Sequence, residues 1–353
     1  MSRLLLKMNE STQGSSARPS GLDGPAATPA IRVEGLIHRY GGTRRDRRPG
    51  RLEHRALDGV SFEVAAGQVF GVLGPNGSGK STLFKILATL LHATEGRAAI
   101  FGFDVADDPQ EVRRRIGVLF QTPSLDLKLT AAENLVHQGH LYGMYGTVLR
   151  QRIEELLELL GLAARRDDLA ERFSGGMQRR LELAKAMLHE PQILLLDEPD
   201  SGLDPGARRD LWSCLDEVTA QGKVTVALTT HLMELAERCD MLAILNHGTV
   251  AALDSPDRLT RTVGGRIITV APATGQDPQQ LLETILSRFG PWPEGLEPIL
   301  IERRVRLRHD DGPALVGELD RRLPGKISSI TVGRPTLEDV FLHLTGHTLW
   351  EGQ

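Results

Sequence analysis

Two short runs carry residue types that together could do chemistry on a phosphate. The first is GPNGSGKST, formed by Gly74, Pro75, Asn76, Gly77, Ser78, Gly79, Lys80, Ser81 and Thr82, which fits G-x-x-x-x-G-K-[ST]. Its glycines let backbone N–H groups curl around β- and γ-phosphates, Lys80 adds a point charge, and the Ser81 hydroxyl suits Mg²⁺. The second is ILLLDEP at 193–199, an apolar run that ends in two carboxylates. A buried strand with that ending places Asp197 and Glu198 at its carboxyl end, where α/β sheets hold ligands. Asp197 is suited to hold Mg²⁺ through water and Glu198 to polarise an attacking water, since phosphoryl transfer needs positioning and electrostatics more than covalent chemistry. Between the two lies a third run, Ser174, Gly175 and Gly176, at the head of the helical pattern RRLELAKAML. A Ser and two glycines opening a helix make a second anion-binding N-terminus, and one chain needs only one for a phosphate ligand of its own.

These residues need a scaffold, and the pattern around them supplies one. The run VFGVLG breaks into the Gly-rich loop and is followed by STLFKILATLL, which reads as strand, phosphate loop and helix. Before it, IRVEGLI and VSFEV read as short strands; after it, a mainly helical region covers about 122–190. That region includes TVLRQRIEELLELLG, whose Ile153, Leu156, Leu157 and Leu160 share one face and are expected in the core. ILLLD and VTVALTT then bracket GARRDLWSCLDEVTAQG, a βαβ pattern and hence a parallel sheet. Past about Gly264 the order becomes βαββαβ plus one helix, opened by Pro335 and Thr336 and apolar at Leu337, Val340, Phe341 and Leu344. The expected fold is therefore α/β: a mixed or parallel core sheet with a helical subdomain, plus a small α+β, ferredoxin-like C-terminal domain. The expected units are a Ser-, Gly-, Pro- and Ala-rich disordered tail over 1–30, a nucleotide-binding domain over 31–262, and the small domain over 265–348. RRDRRPGR at 44–51 reads as a solvated hairpin loop, with contact to anionic lipid the minor alternative.

With FSGGMQRRLELAKAML between the two phosphate-chemistry runs, residues of about 31–260 resemble the ATP-binding-cassette family. The resemblance implies a head-to-tail dimer in which Ser174, Gly175 and Gly176 of one chain close over the γ-phosphate held by the other. It also implies roles for single residues. Gln121 would reach Mg²⁺ and the attacking water and sense a transmembrane partner. SGLDP at 201–205 would contact the opposite subunit through Asp204, His231 would meet the γ-phosphate, and Tyr40, with His38 a near neighbour, would stack on adenine. Two positions depart from the family pattern: Met177 stands where many members carry Gln, and Asp200 follows DEP where Thr is common. Met177 leaves the backbone donors and Ser174 in place, so ATP hydrolysis should survive. FSGGMQRRL and PTLEDVFLHLTG at 335–346 are similar to the branch of daunorubicin-resistance and nodulation-factor exporter ATPases.

The remaining features exclude rivals. With 42 basic and 46 acidic side chains the net charge is −4, no footprint for nucleic acid as principal ligand. Cys214 and Cys239 fit neither a metal site nor a disulfide framework and are expected to be reduced thiols. Leu4, Leu5 and Leu6 are too short a run for a signal-peptide core, and no stretch of about 18 uncharged apolar residues spans a membrane. The expectation is thus an ATPase with ATP and Mg²⁺ as cofactors, a homodimer or paired cassette, bound peripherally at the cytoplasmic face of the cell membrane through a separate transmembrane permease. The alternative is a soluble cassette protein acting in translation or DNA repair. Such proteins carry a long coiled coil within the cassette or two cassettes in one chain, whereas here one phosphate loop lies 197 − 80 = 117 positions from Asp197.

Overall fold

A computed structural model describes residues 28–41, 54–220, 224–292 and 297–346. The basic run 44–51, and all but the last three residues of the expected 1–30 tail, lie outside the described residues. Along the chain, β1 (Ile31–Tyr40) and β2 (His54–Val64) pair antiparallel. β3 (Val69–Leu73) leads through the glycine-rich loop into α1 (Lys80–Leu87). β4 (Glu95–Ile100) returns to pair with β1, with β5 (Phe103–Asp104) at its side. There follow α2 (Pro109–Arg115), β6 (Ile116–Leu119), α3 (Ala131–Leu141), α4 (Gly146–Leu159) and α5 (Gly175–Met187). Then come β7 (Ile193–Asp197), α6 (Pro205–Thr219), β8 (Thr225–Thr230), the short α7 (Met233–Ala236), β9 (Met241–Asn246), β10 (Thr249–Asp254) and α8 (Pro256–Val263).

The central sheet has the order β10-β9-β3-β8-β7-β6, parallel except for β10. Its middle strands are buried on both faces, which is why ILLLD and TVALTT read as unbroken apolar or small-residue runs rather than as alternating ones. The alternation reappears in what each face touches. Ile193 and Leu195 pack with Val33, Leu57, Phe62 and Leu83, under the antiparallel sheet β2-β1-β4-β5 and α1. Leu194 and Leu196 pack with Leu156, Leu157, Leu181 and Trp212, under the helices. Ile153, Leu156, Leu157 and Leu160 are all buried as their spacing required. α3 is fixed at its start by a capping box between Thr130 and Glu133.

The last part of the chain runs β11 (Arg266–Pro272), α9 (Pro278–Phe289), β12 (Ile299–Ile301), β13 (Arg304–His309), α10 (Gly312–Arg322), β14 (Ile327–Gly333) and α11 (Leu337–Thr345). Its antiparallel sheet has the order β12-β13-β11-β14, the ferredoxin-like arrangement of a βαββαβ unit. Ile268, Val270, Val305 and Leu307 pack under α9 and α10 through Leu281, Ile285, Leu315 and Leu319. α11 goes elsewhere. Its Leu337, Val340 and Phe341 join Leu73, Ile244, Leu259 and Val263, so the closing helix seats against α8 and the end of the central sheet. A buried carboxylate, Asp339, both completes the Thr336 capping box and accepts from Arg306 of β13 at 2.8 Å, which ties the helix to the second sheet as well. The expected apolar face is one residue too long: Leu344, in the last turn, is 41% exposed.

Candidate nucleotide site

Four neighbouring parallel strands deliver the chemistry-bearing residues to one edge. Gln121 follows β6, Asp197 and Glu198 close β7, His231 follows β8, and the glycine-rich loop follows β3. This is the carboxyl edge of the sheet, where an open α/β fold leaves room for a ligand. The loop can pass so close only because it lacks side chains at two points. A Cβ on Gly74 would lie 2.3 Å from the Leu245 carbonyl oxygen, and one on Gly79 would lie 2.2 Å from that of Ala56. Gly79 also has φ 105° at the start of α1.

Lys80 is buried, and its Nζ donates to the carbonyl oxygens of Gly74 at 2.7 Å and Pro75 at 3.0 Å, with Glu198 Oε1 at 3.8 Å. Burial pushes its ammonium pKa down, while Glu198 and Asp197 hold it up. Ser81 Oγ donates to Asp197 Oδ1 at 3.1 Å, and Thr229 Oγ1 donates to the same oxygen at 2.7 Å. Glu198 receives Gln121 Nε2 at 3.4 Å on one oxygen and has His231 Nδ1 at 3.5 Å from the other. Its backbone sits at φ 46°, a left-handed conformation that costs a non-glycine residue about 1–2 kcal/mol. Tyr40 lies at the rim, 41% exposed, with its hydroxyl 3.2 Å from Thr82 Oγ1. His38, its neighbour in sequence, is instead buried, with Nδ1 at 3.0 Å from the His92 carbonyl oxygen and its ring edge-on to Tyr40.

Tyr40, Asn76, Gly77, Gly79, Lys80, Ser81, Thr82, Gln121, Glu198 and His231 thus line one cleft of about 530 Å³, with Asp197 and Ser78 buried beneath it. An exposed aromatic at one end, a bed of backbone donors and an ammonium in the middle, and a carboxylate with an amide at the other end match the order base, phosphates and attacking water. Ser81, Asp197 and Gln121 offer hard oxygen donors of the kind that hold Mg²⁺ together with phosphate oxygens and waters. Among the described residues no group of three His, Cys, Asp or Glu could hold a metal by itself.

Ser174, Gly175, Gly176 and Asp204 do not line this cleft. Ser174 caps α5 by accepting from the Met177 N–H, and Gly175 has open space where a Cβ would stand. Gly176 is a packing residue as well, since a Cβ there would meet Ala207 Cβ at 2.5 Å. Asp204 caps α6 through the N–H groups of Gly206 and Ala207, and those bonds, led by Ala207, hold its carboxyl below the usual range.

Two residues of the site escaped the sequence reading, and a third, Asp200, was read only as a departure from the family pattern. Thr229 bridges Asp197 and the Glu198 N–H, from inside a buried run whose Val226, Ala227 and Leu228 are core. Arg179, buried in α5, donates to backbone carbonyls on both sides of the site. Asp200 is buried with Arg208 Nε 3.8 Å away. For Thr229 and Arg179 the available signal was a polar residue at a core-facing position of an otherwise apolar periodicity.

Burial is the main cause pushing the Asp200 carboxyl above the usual aspartate range. A raised folded-state pKa means the penalty is absent below the unfolded value of about 4, grows as pH rises through the folded value, and is complete above it. Asp200→Asn is therefore expected to melt at a higher temperature than the unsubstituted chain at neutral pH, with the gain shrinking as pH falls toward about 4. A lower melting temperature at neutral pH would show that attraction to Arg208 outweighs the cost of burial. Cys214 and Cys239 are both free and buried, and burial pushes the Cys239 thiol up to about 12.

Comparison with known proteins agrees with the cleft. The family described as ABC transporter matches residues 57–201. The daunorubicin/doxorubicin resistance ATP-binding protein of Streptomyces peucetius is 36% identical over 324 residues, covering 91% of this chain and 93% of that protein. The Nod factor export ATP-binding protein I of Rhizobium sp. (strain N33) is 38% identical over 296 residues, covering 83% and 93%. Among solved structures, an ATP-binding subunit of an ABC transporter superposes with TM-score 0.56 at 31% identity over 66% of this chain and 93% of that one. A dimeric ATP-binding cassette in a post-hydrolysis state, bound to ADP and Pi, does so with TM-score 0.56 at 28% identity over 64% and 98%.

Proposed function

The chain belongs to the ABC transporter family, as an ATP-hydrolysing subunit of the exporter type, and from that premise we propose that two copies close head to tail on two MgATP molecules to drive a separate membrane permease. The observation that carries the reading is the division of the site. The cleft brings together the residues needed to bind a nucleotide and orient water, while the capped, glycine-lined N-terminus of α5, a second anion-binding helix end, stands outside it.

In this reading Tyr40 stacks on adenine and the loop Gly74–Thr82 binds the phosphates. Lys80 shifts from the Gly74 and Pro75 carbonyls to a phosphate oxygen, exchanging neutral acceptors for a charged one. Ser81, Asp197 and Gln121 hold Mg²⁺, which when bound would neutralise charge on the phosphates. Glu198 accepts from the attacking water, and Gln121 and His231, both beside its carboxylate, fix its orientation. Ser174, Gly175 and Gly176 of one chain complete the other chain's site, and Asp204 lies on the loop between them. Residues 31–262 form the cassette, with 122–190 its helical part, and 265–348 an appended unit. The relatives named above are resistance and export proteins and give the translation or DNA-repair alternative no support.

The permease is expected to dock on the helical part. Leu141, Tyr145 and Val148 are 82%, 63% and 69% exposed around the turn from α3 to α4, three large apolar side chains close in the chain that a partner could cover. No helix of the described residues is long and apolar enough to cross a membrane, so attachment at the cytoplasmic face would come through that partner. Affinity capture from detergent-solubilised membranes should recover a hydrophobic polypeptide of about six spans. The triple variant Leu141→Glu, Tyr145→Glu, Val148→Glu should keep the melting temperature and lose that polypeptide. Capture of ribosomes or DNA instead would sink the transport reading.

A further inference from the structure

Glu198 is the residue the proposed mechanism leans on most, and its backbone is in a conformation it would leave if released. Besides Thr229, which accepts from its N–H, and the Ser201 N–H, which donates to its carbonyl oxygen, one guanidinium restrains it and both its neighbours. Arg179 Nε donates to the Pro199 carbonyl oxygen at 2.8 Å, and Nη2 donates to those of Glu198 at 3.1 Å and Asp197 at 3.4 Å. Nη1 donates to the carbonyl oxygen of Phe120, the residue before Gln121, at 2.6 Å, and to Glu182 Oε2 at 2.9 Å. All five N–H groups of the side chain are therefore used, four of them on backbone that carries Asp197, Glu198 and Gln121. Glu182, one turn along α5, fixes the fork from behind and with its other oxygen accepts from the Ser124 N–H at 2.5 Å.

Burying a charged side chain is costly unless it is fully paired, and an ordinary helix contact would not require one here. We propose that Arg179 is a positioning residue for ATP hydrolysis. It holds Glu198 in its left-handed conformation through three successive carbonyls and locks the Gln121 segment to the same point. Because Arg179 lies on α5, five residues beyond Ser174, the helix that would meet the second chain's nucleotide also carries the clamp on its own chain's water-orienting group. This proposal rests on the reading of Glu198 given above. Lysine cannot replace the arginine, since three donors on a flexible stem cannot make the five bonds that the planar guanidinium makes.

Arg179→Lys and Glu182→Gln, each made alone and together with Glu198→Gln in the full chain, test it by steady-state ATP turnover. Arg179→Lys is expected to lower kcat about 10–100-fold with KM for MgATP within about threefold, because the phosphate loop is not touched. Glu182→Gln, which leaves the guanidinium in place but loosens it, should lower kcat by less in the same pattern. In the Glu198→Gln background either change should add less than about threefold, since the group being positioned is already disabled. If Arg179→Lys does not fold, Glu182→Gln alone must still show the kcat effect and the non-additivity. Equal losses in both backgrounds, or a rise in KM at unchanged kcat, would overturn the clamp. Normal turnover by Glu198→Gln alone would overturn the premise instead, and the two failures are told apart by that single variant.

Discussion

Glu198→Gln is expected to bind ATP as the unsubstituted chain does and to turn it over about 10²–10⁴-fold more slowly, the usual worth of a positioned general base. The substitution keeps the volume, and it keeps Gln121 and His231 as neighbours at 3.4 and 3.5 Å from the same end group. It removes only the charge that accepts a proton from water. Nothing in the phosphate loop changes, since Lys80 retains its bonds to Gly74 and Pro75 and loses only a 3.8 Å ion contact. The check is a pair of measurements on one preparation: ATP affinity by ligand-induced stabilisation and single-turnover hydrolysis. Loss of affinity together with rate would mean that Glu198 supports the fold of the site rather than its chemistry.

Lys80→Ala is expected to do the opposite. The ammonium is buried at 4% exposure and is held above the loop by two carbonyls, poised for a phosphate. Deleting a charge-assisted hydrogen bond of about 1.5–3 kcal/mol weakens binding by about 10–100-fold. At an ATP concentration a thousand times the original Kd, stabilisation of the folded state would fall from about 4.1 to about 1.4 kcal/mol for the larger of those losses. The ATP-free melting temperature is a poor readout here, because the same substitution relieves the desolvation of a buried cation. The shift on adding ATP is the informative quantity. An undiminished shift would remove Lys80 from the phosphate site.

How far these residues could be read from sequence depended on whether their function is local. The phosphate loop, the two carboxylates and the capped head of α5 are contiguous runs; Asn76, Gly77, Gly79 to Thr82 and Glu198 line the cleft, and Ser174 caps α5. The core strands were equally plain, because burial on both faces leaves no alternation to misread. Gln121, His231 and Tyr40 came from resemblance, and the fold supplies the reason: each lies just past, or at, a strand end that abuts the loop. Arg179 and Thr229 were harder to read, since only sheet order brings their partners near: the carbonyls that Arg179 meets lie 18 to 59 residues away, and Thr229 meets the Asp197 carboxylate and the Glu198 N–H. Leu344 shows the converse limit. Helical spacing put it on the apolar face of α11, but the surface that α11 packs against ends one turn earlier.

The reading as a whole turns on two chains sharing their sites. The most direct test is the molar mass of the Glu198→Gln chain in solution, measured by light scattering with and without MgATP. The proposal predicts a mass that moves from one chain of 38.7 kDa toward two when MgATP is added, and that fails to move when Ser174→Arg is also present at the proposed contact. A mass that stays at one chain with saturating MgATP, or a dimer indifferent to both nucleotide and Ser174, would contradict it.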